Sequence, residues 1–189
     1  MQLPISVPNH LAVIIDGNRR WAELHGKESW EGHVKGSLTF DKAIQWIVDL
    51  GIPQVSVYAL STENLNRPKR ELHKLYDVMC ATLNRWLSNE EFFKKYEIKV
   101  NFFGNLKMLP SRMLRLMERL KKMTSNHNKK IVNILLAYGA KLEITNAMKF
   151  LLKKVLMTGK IQITQKDLEK GLMVSSPVDL VIRTGGKNR

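Results

Sequence analysis

The stretch Leu11-Ala12-Val13-Ile14-Ile15-Asp16-Gly17-Asn18-Arg19-Arg20-Trp21 decides how the chain is read. Leu11 to Ile15 is a short, β-branched apolar run with the length of a fully buried strand. It breaks into Asp16-Gly17-Asn18, three residues suited to a tight turn for different reasons. Two arginines and a tryptophan follow as a helical pattern begins. Glycine lets a backbone approach a ligand, helix-start N–H groups point outward, and arginines give bidentate, charge-assisted bonds, so an anion site is expected. Asp16 would repel a bare phosphate, unless a divalent metal stands between them. These residues read together as a diphosphate site with magnesium.

Further along, four more β-rich runs recur: Gln54–Leu60, Ile98–Gly104, Ile131–Tyr138 and Val178–Thr184. Helical periodicity fills the gaps. Trp30–Leu50 sets Val34, Leu38, Ala43, Ile47 and Leu50 mostly on one side. Pro68–Leu87 carries Leu72, Leu75, Tyr76, Met79, Cys80 and Leu83. Leu109–Met123 and Leu142–Met157 continue the pattern, the latter through Ile144, Ala147, Met148, Leu151, Leu152 and Val155. A weaker helix over Thr164–Met173 has Thr164 as its cap. Strands that are apolar throughout and alternate with helices predict a mostly parallel open sheet with helices on both faces. There is no room for a linker, and residues 1–189 read as a single α/β domain.

Ligands of such sheets bind outside the carboxyl ends of the strands. Three strands end in polar clusters: Asp16–Arg20, Ser61–Pro68 and Arg183–Arg189. Parallel strands bring all three to one edge. Arg19, Arg20, Arg67, Arg183 and Arg189 then converge with Asp16 on a polyanion site. Ser61 or Thr62 also reads as a helix cap with Pro68 in the first turn, leaving Asn64 and Arg67 free for a ligand. No G-x-x-x-x-G-K-[ST] sequence occurs, which sets aside a nucleotide P-loop.

Composition narrows the classes. Apolar residues make up 44% of the 189, and no run approaches the roughly 20 residues that span a bilayer. Met1–His10 holds two prolines and no apolar core, so no cleaved leader is expected. The single cysteine, Cys80, excludes an internal disulfide and fits a reducing, cytoplasmic compartment. Net charge is +14, with pairs such as Lys121-Lys122, Lys129-Lys130 and Lys153-Lys154 reading as solvated faces. No zinc-finger spacing or RNP-like aromatic motif accompanies them, which argues against nucleic acid.

The chain resembles the cis-prenyltransferase family. The matching stretches are His10–Ala22, Gly32-His33 with Gly36, Tyr58–Pro68, Ala137-Tyr138-Gly139 and Pro177–Gly186, in family order. The resemblance implies a mostly parallel α/β fold with an apolar tunnel, usually a homodimer. It also implies condensation of isopentenyl diphosphate with an allylic, farnesyl-like diphosphate to a cis-polyprenyl diphosphate. By the same resemblance Asp16 is the magnesium-binding catalytic aspartate, and Gly17, Asn18, Arg19, Arg20 and Trp21 hold the allylic diphosphate. His33 supports proton transfer or diphosphate departure. Ser61, Thr62, Glu63, Asn64, Leu65 and Arg67 lie between the substrates, with Asn64 assisting proton removal. Arg183 and Arg189 grip isopentenyl diphosphate. A long product implies peripheral contact with a membrane.

Departures from the family pattern are Ser29 in place of an arginine, Leu65 for an aromatic and Lys187 for a glutamate. Members continue for several dozen residues beyond the position of Arg189, so this chain is expected to be C-terminally incomplete. A non-catalytic partner subunit is the alternative, though such subunits tend to lose the aspartate and arginines kept here. Trans-prenyltransferases carry D-D-x-x-D motifs, and this chain has no adjacent aspartates.

Overall fold

Every apolar run read as a strand forms one, and all five pair in parallel. The computed structural model describes residues 6–159 and 161–186; Lys187 and Arg189 lie outside them. The strands are β1 (His10–Ile14), β2 (Gln54–Tyr58), β3 (Ile98–Phe103), β4 (Lys130–Leu135) and β5 (Leu180–Arg183). Their order across the sheet is β3-β4-β2-β1-β5, with Leu11 beside both Val55 and Leu180. The helices are α1 (Asn18–Leu24), α2 (Ser29–Asp49), α3 (Lys69–Ser88), α4 (Glu90–Lys95), α5 (Ser111–Met123), α6 (Ala140–Thr158) and α7 (Gln165–Gly171).

Side-chain period explains the core. Val55 and Val57, Ile98 and Val100, and Val132 and Ile134 alternate onto one buried surface. They pack with Ile44, Ile47 and Val48 of α2, Leu75, Leu83 and Trp86 of α3, and Met113, Met117 and Leu120 of α5. Cys80 is buried among them, as a small hydrophobe. A polar row crosses the same sheet: Asn101 Nδ2 donates to Asn133 Oδ1 (3.0 Å), Asn133 Nδ2 to Ser56 Oγ (3.1 Å), and His10 Nε2 lies 2.7 Å from Ser56 Oγ. The row links four neighbouring strands and satisfies buried His10 and Asn133.

Local signals hold where they rest on chemistry. Thr164 caps α7, accepting from Asp167 N at 3.3 Å while Thr164 N donates to Asp167 Oδ2 at 3.1 Å. Ser61 and Thr62 serve not a long helix but a short 3₁₀ helix, Glu63–Asn66; α3 starts only after Pro68. Two burial readings need correction. On α2, Val34, Leu38 and Leu50 are exposed, and Ile44, Ile47 and Val48 are the buried side. On α6 only Ala147 and Leu151 are buried, while Ile144, Met148, Leu152 and Leu156 form an open apolar stripe. β5 is likewise an exposed edge strand, with Leu180, Val181 and Ile182 about half accessible.

Candidate active site

The parallel sheet delivers its strand ends to one edge, and the three polar clusters meet there. β1 ends in Asp16, whose backbone N–H donates to Thr184 Oγ1 (3.0 Å) just past β5, while Thr184 Oγ1 donates to Asp16 O (2.7 Å). Gly17, in a left-handed conformation, occupies the N-cap of α1 that Asp16 could have taken. Its N–H donates to Asp16 Oδ1 at 2.7 Å. Arg183 grips the other oxygen, Nη2 at 2.5 Å and Nε at 3.1 Å from Oδ2. The Arg183 guanidinium holds the Asp16 carboxyl below its ordinary range, with lesser help from Gly17 N–H and Arg20 against a desolvation cost.

Arg20 Nη2 donates to Gly185 O at 2.7 Å. A Cβ at Gly185 would stand 2.7 Å from both Asp16 Oδ2 and Arg20 Nη2, so a side chain there would push both groups out of place. Gly36 plays the same part on α2, where a Cβ would come within 2.4 Å of the Asn18 carboxamide. That close approach seats α1 on α2 and aims Asn18 at His33.

His33 is mostly buried, and desolvation followed by the Arg67 charge lowers its pKa to about 4. Arg67 Nη1 stands 3.3 Å from Nε2 and can only donate, so Nε2 is the acceptor. The neutral ring then carries its proton on Nδ1, and Asn18 Nδ2, itself a donor, stands 3.5 Å away without accepting from it. Ser61 and Asn64 are locked together: Asn64 N donates to Ser61 Oγ (3.2 Å) and Ser61 N to Asn64 Oδ1 (3.4 Å).

One cavity of about 780 Å³ joins these groups. At its polar mouth stand Asp16, Gly17, Asn18, Arg19, Arg20, His33, Ser61, Glu63, Asn64, Arg67 and Arg183. Its body is apolar, walled by Phe40 of α2, Leu75, Met79, Leu83 and Trp86 of α3, Met113 of α5, and Ile134 and Phe102 of the sheet. Trp21, Ser29, Thr62 and Leu65 are not among its walls: Trp21 stacks on His25 at 4.3 Å, Ser29 opens α2, and Leu65 packs on the core. Arg189 lies outside the described residues.

One site residue escaped the sequence reading. Glu71 lies 3.4 Å from Arg19 Nε and 3.3 Å from Arg67 Nη1, holding both arginines at the mouth. Its signal was the (i, i+4) spacing from Arg67; the link to Arg19 is tertiary and has no trace in local sequence.

The site is thus an arginine-rich mouth opening on an apolar cavity. Comparison with known proteins narrows the class. The family described as "Putative undecaprenyl diphosphate synthase" matches residues 14–189. A tritrans,polycis-undecaprenyl-diphosphate synthase (geranylgeranyl-diphosphate specific) of Methanopyrus kandleri is 36% identical over 188 residues, covering 97% of this chain and 69% of its own. An isoprenyl transferase of Fusobacterium nucleatum is 35% identical, covering 97% of this chain and 77% of its own. The crystal structure of lavandulyl diphosphate synthase from Lavandula x intermedia, in complex with dimethylallyl diphosphate, is similar with a TM-score of 0.89 at 28% identity. It covers 96% of this chain and 79% of that one. The chain belongs to the undecaprenyl diphosphate synthase family of cis-prenyltransferases, and is thus a transferase of isoprenoid biosynthesis.

Proposed function

We propose that this chain condenses isopentenyl diphosphate with an allylic prenyl diphosphate to give a cis-polyprenyl diphosphate. The observation that carries the reading is the continuity of the cationic mouth with the 780 Å³ apolar cavity, which matches a diphosphate head on a hydrocarbon tail. Arg19, Arg20, Asn18 and the backbone around Gly17 take the allylic diphosphate. Arg183 takes that of isopentenyl diphosphate, with Arg189 assigned by the family resemblance. The double bond of isopentenyl diphosphate attacks the allylic carbon, the carbon–oxygen bond breaks, and diphosphate leaves with the electron pair. A proton is then lost from the former isopentenyl carbon to the departing diphosphate, setting the cis double bond, and Asn64 and Ser61 assist that transfer. Neutral His33 accepts from Arg67 through Nε2 and backs it at the mouth.

Asp16 fits a magnesium ion. Magnesium takes one or two carboxylates together with substrate phosphates and water, and Asp16 is a half-exposed carboxylate beside the phosphate arginines. When bound, magnesium neutralises charge on the departing diphosphate. The protein's own share is alignment and charge stabilisation in a site shielded from water.

A second copy is proposed to cover the open α6 stripe and β5. No described helix is long and apolar enough to cross a membrane; peripheral contact through basic residues is proposed for delivery of long products. The test is incorporation of labelled isopentenyl diphosphate into extractable lipid, with farnesyl and geranylgeranyl diphosphates as parallel primers, with magnesium and with chelator. Magnesium-dependent chain growth is expected with one or both; no growth with either would remove the reading.

A further inference from the structure

Two sides of α2 face different surroundings. His33, Gly36, Ser37 and Phe40 line the cavity. At about 100° per residue, Val34, Lys35, Leu38, Lys42 and Trp46 fall within an arc of roughly 120° turned away from it. None of these five is a cavity wall. All five are exposed, Trp46 by 60% and Leu38 by 45%. Trp30 extends the row at one end, with Lys74 Nζ of α3 lying 5.5 Å over its ring.

The outward side of a surface helix is ordinarily polar, with charged residues opposite the apolar stripe. This one presents apolar and cationic side chains together. The acids of α2 are all engaged elsewhere. Glu31 pairs with Lys27 at 3.5 Å and closes the helix cap. Asp41 accepts from Arg85 Nε at 3.0 Å and from Trp86 Nε1 at 2.8 Å. Asp49 accepts from Gln45 Nε2 and the Tyr96 hydroxyl. Lys35 and Lys42 have no carboxylate partner among the described residues. The Thr39 hydroxyl beside them donates to Lys35 O at 3.0 Å, so it keeps a partner when the face is covered.

We infer that this face of α2 is the surface on which the protein lies against an anionic lipid bilayer. Trp46, Leu38 and Val34 enter the headgroup boundary, and Lys35 and Lys42 meet negatively charged headgroups. Charge selects the occupant. An isologous contact between two copies would set unpaired lysines against their own kind, in a chain of net charge +14. The other open apolar face, on α6, contributes no wall to the cavity. On α2 the helix that shapes the cavity also faces the lipid into which a polyprenyl product passes. The inference rests on the proposed function and names the partner that receives its product.

The test is sedimentation with vesicles of phosphatidylcholine alone and of phosphatidylcholine mixed with phosphatidylglycerol, scored beside label incorporation. Wild type should bind the mixed vesicles in preference, and less as salt rises. Lys35→Ala with Lys42→Ala should lower the partition coefficient about 30-fold, at about fivefold for each lysine near an anionic surface. Lys35→Arg with Lys42→Arg keeps the charge and should bind as wild type does. Val34→Ser with Leu38→Ser should weaken binding about tenfold, the scale of returning part of two aliphatic side chains to water. Lys149→Ala with Lys153→Ala, on the rival α6 face, should leave binding unchanged. Incorporation without vesicles should match wild type in every variant, because none of these residues lines the cavity.

A wild type that incorporates label but ignores the mixed vesicles would overturn the inference alone. So would a loss from the α6 pair as large as that from the α2 pair. A shift to monomer on Val34→Ser with Leu38→Ser would give the face to a second copy and likewise overturn it. A wild type that binds vesicles yet incorporates no label would overturn the underlying reading and leave the lipid-facing surface standing.

Discussion

Arg183 closes on Asp16 across 167 residues of sequence, with Nη2 2.5 Å and Nε 3.1 Å from the same carboxylate oxygen. The pair joins the ends of two adjacent strands, β1 and β5, at the mouth of the cavity. The pair favours the ionised form of Asp16 and, on the proposed function, holds Arg183 where a second diphosphate would lie. Removing Arg183 should therefore act on isopentenyl diphosphate more than on the allylic substrate. Arg183→Ala is expected to lower kcat/KM for isopentenyl diphosphate by about 10²-fold, as for loss of one preorganised donor. Steady-state kinetics with each substrate varied in turn checks it; an equal loss on both would contradict the assignment.

The neutral, buried His33 has a pH consequence. Its pKa is about 4 in the folded chain against 6.5 for the free side chain, so between those values the unfolded chain binds more protons. The contribution is present above pH 6.5 and is lost as pH falls towards 4, about 3 kcal/mol in all. Urea unfolding of wild type and His33→Asn from pH 7 to 4 measures it. The wild type should lose stability more steeply; parallel curves would show that the ring is not buried neutral.

Glu71 makes a different prediction, because it orders arginines instead of touching substrate. Glu71→Gln keeps the shape and removes the charge that holds Arg19 and Arg67. Misaligned arginines still attract diphosphate, so KM for the allylic substrate should stay level or fall while kcat drops roughly 10- to 10²-fold. A raised KM with unchanged kcat would show Glu71 to act on binding alone.

The open apolar stripe of α6 is tested by sedimentation. Ile144→Lys with Leu152→Lys should shift the protein towards monomer at micromolar concentration while leaving its circular dichroism intact, since both side chains are more than half exposed. An unaltered oligomer distribution would remove this surface from the interface.

Strand positions were legible because β-rich apolar runs bounded by turn residues have few other uses in an α/β chain. The mouth was legible because parallel pairing sends every strand end to one edge, so Asp16, Asn64 and Arg183 could be grouped without coordinates. Burial phase was not. Val34 and Leu38, like Ile144 and Met148, satisfy a helical period, yet periodicity shows that an apolar face exists and not what lies against it. The short α4, Glu-Glu-Phe-Phe-Lys-Lys, offers too few residues for a period; its acids at the start and bases at the end, which favour the helix dipole, were the available sign. Glu71 and the Asp41–Trp86 bond were illegible for a third reason: both depend on contacts between helices, and sequence separation hides these.

On the proposed function Asp16, just past the end of β1, serves catalysis and not the fold. The most direct measurement is the rate of labelled isopentenyl diphosphate incorporation by Asp16→Ala beside wild type, with magnesium and with circular dichroism of both. An unchanged spectrum is expected, with a fall of about 10³-fold or more, the scale of losing the charge stabilisation of the departing diphosphate. A folded Asp16→Ala protein that elongates at the wild-type rate would contradict it.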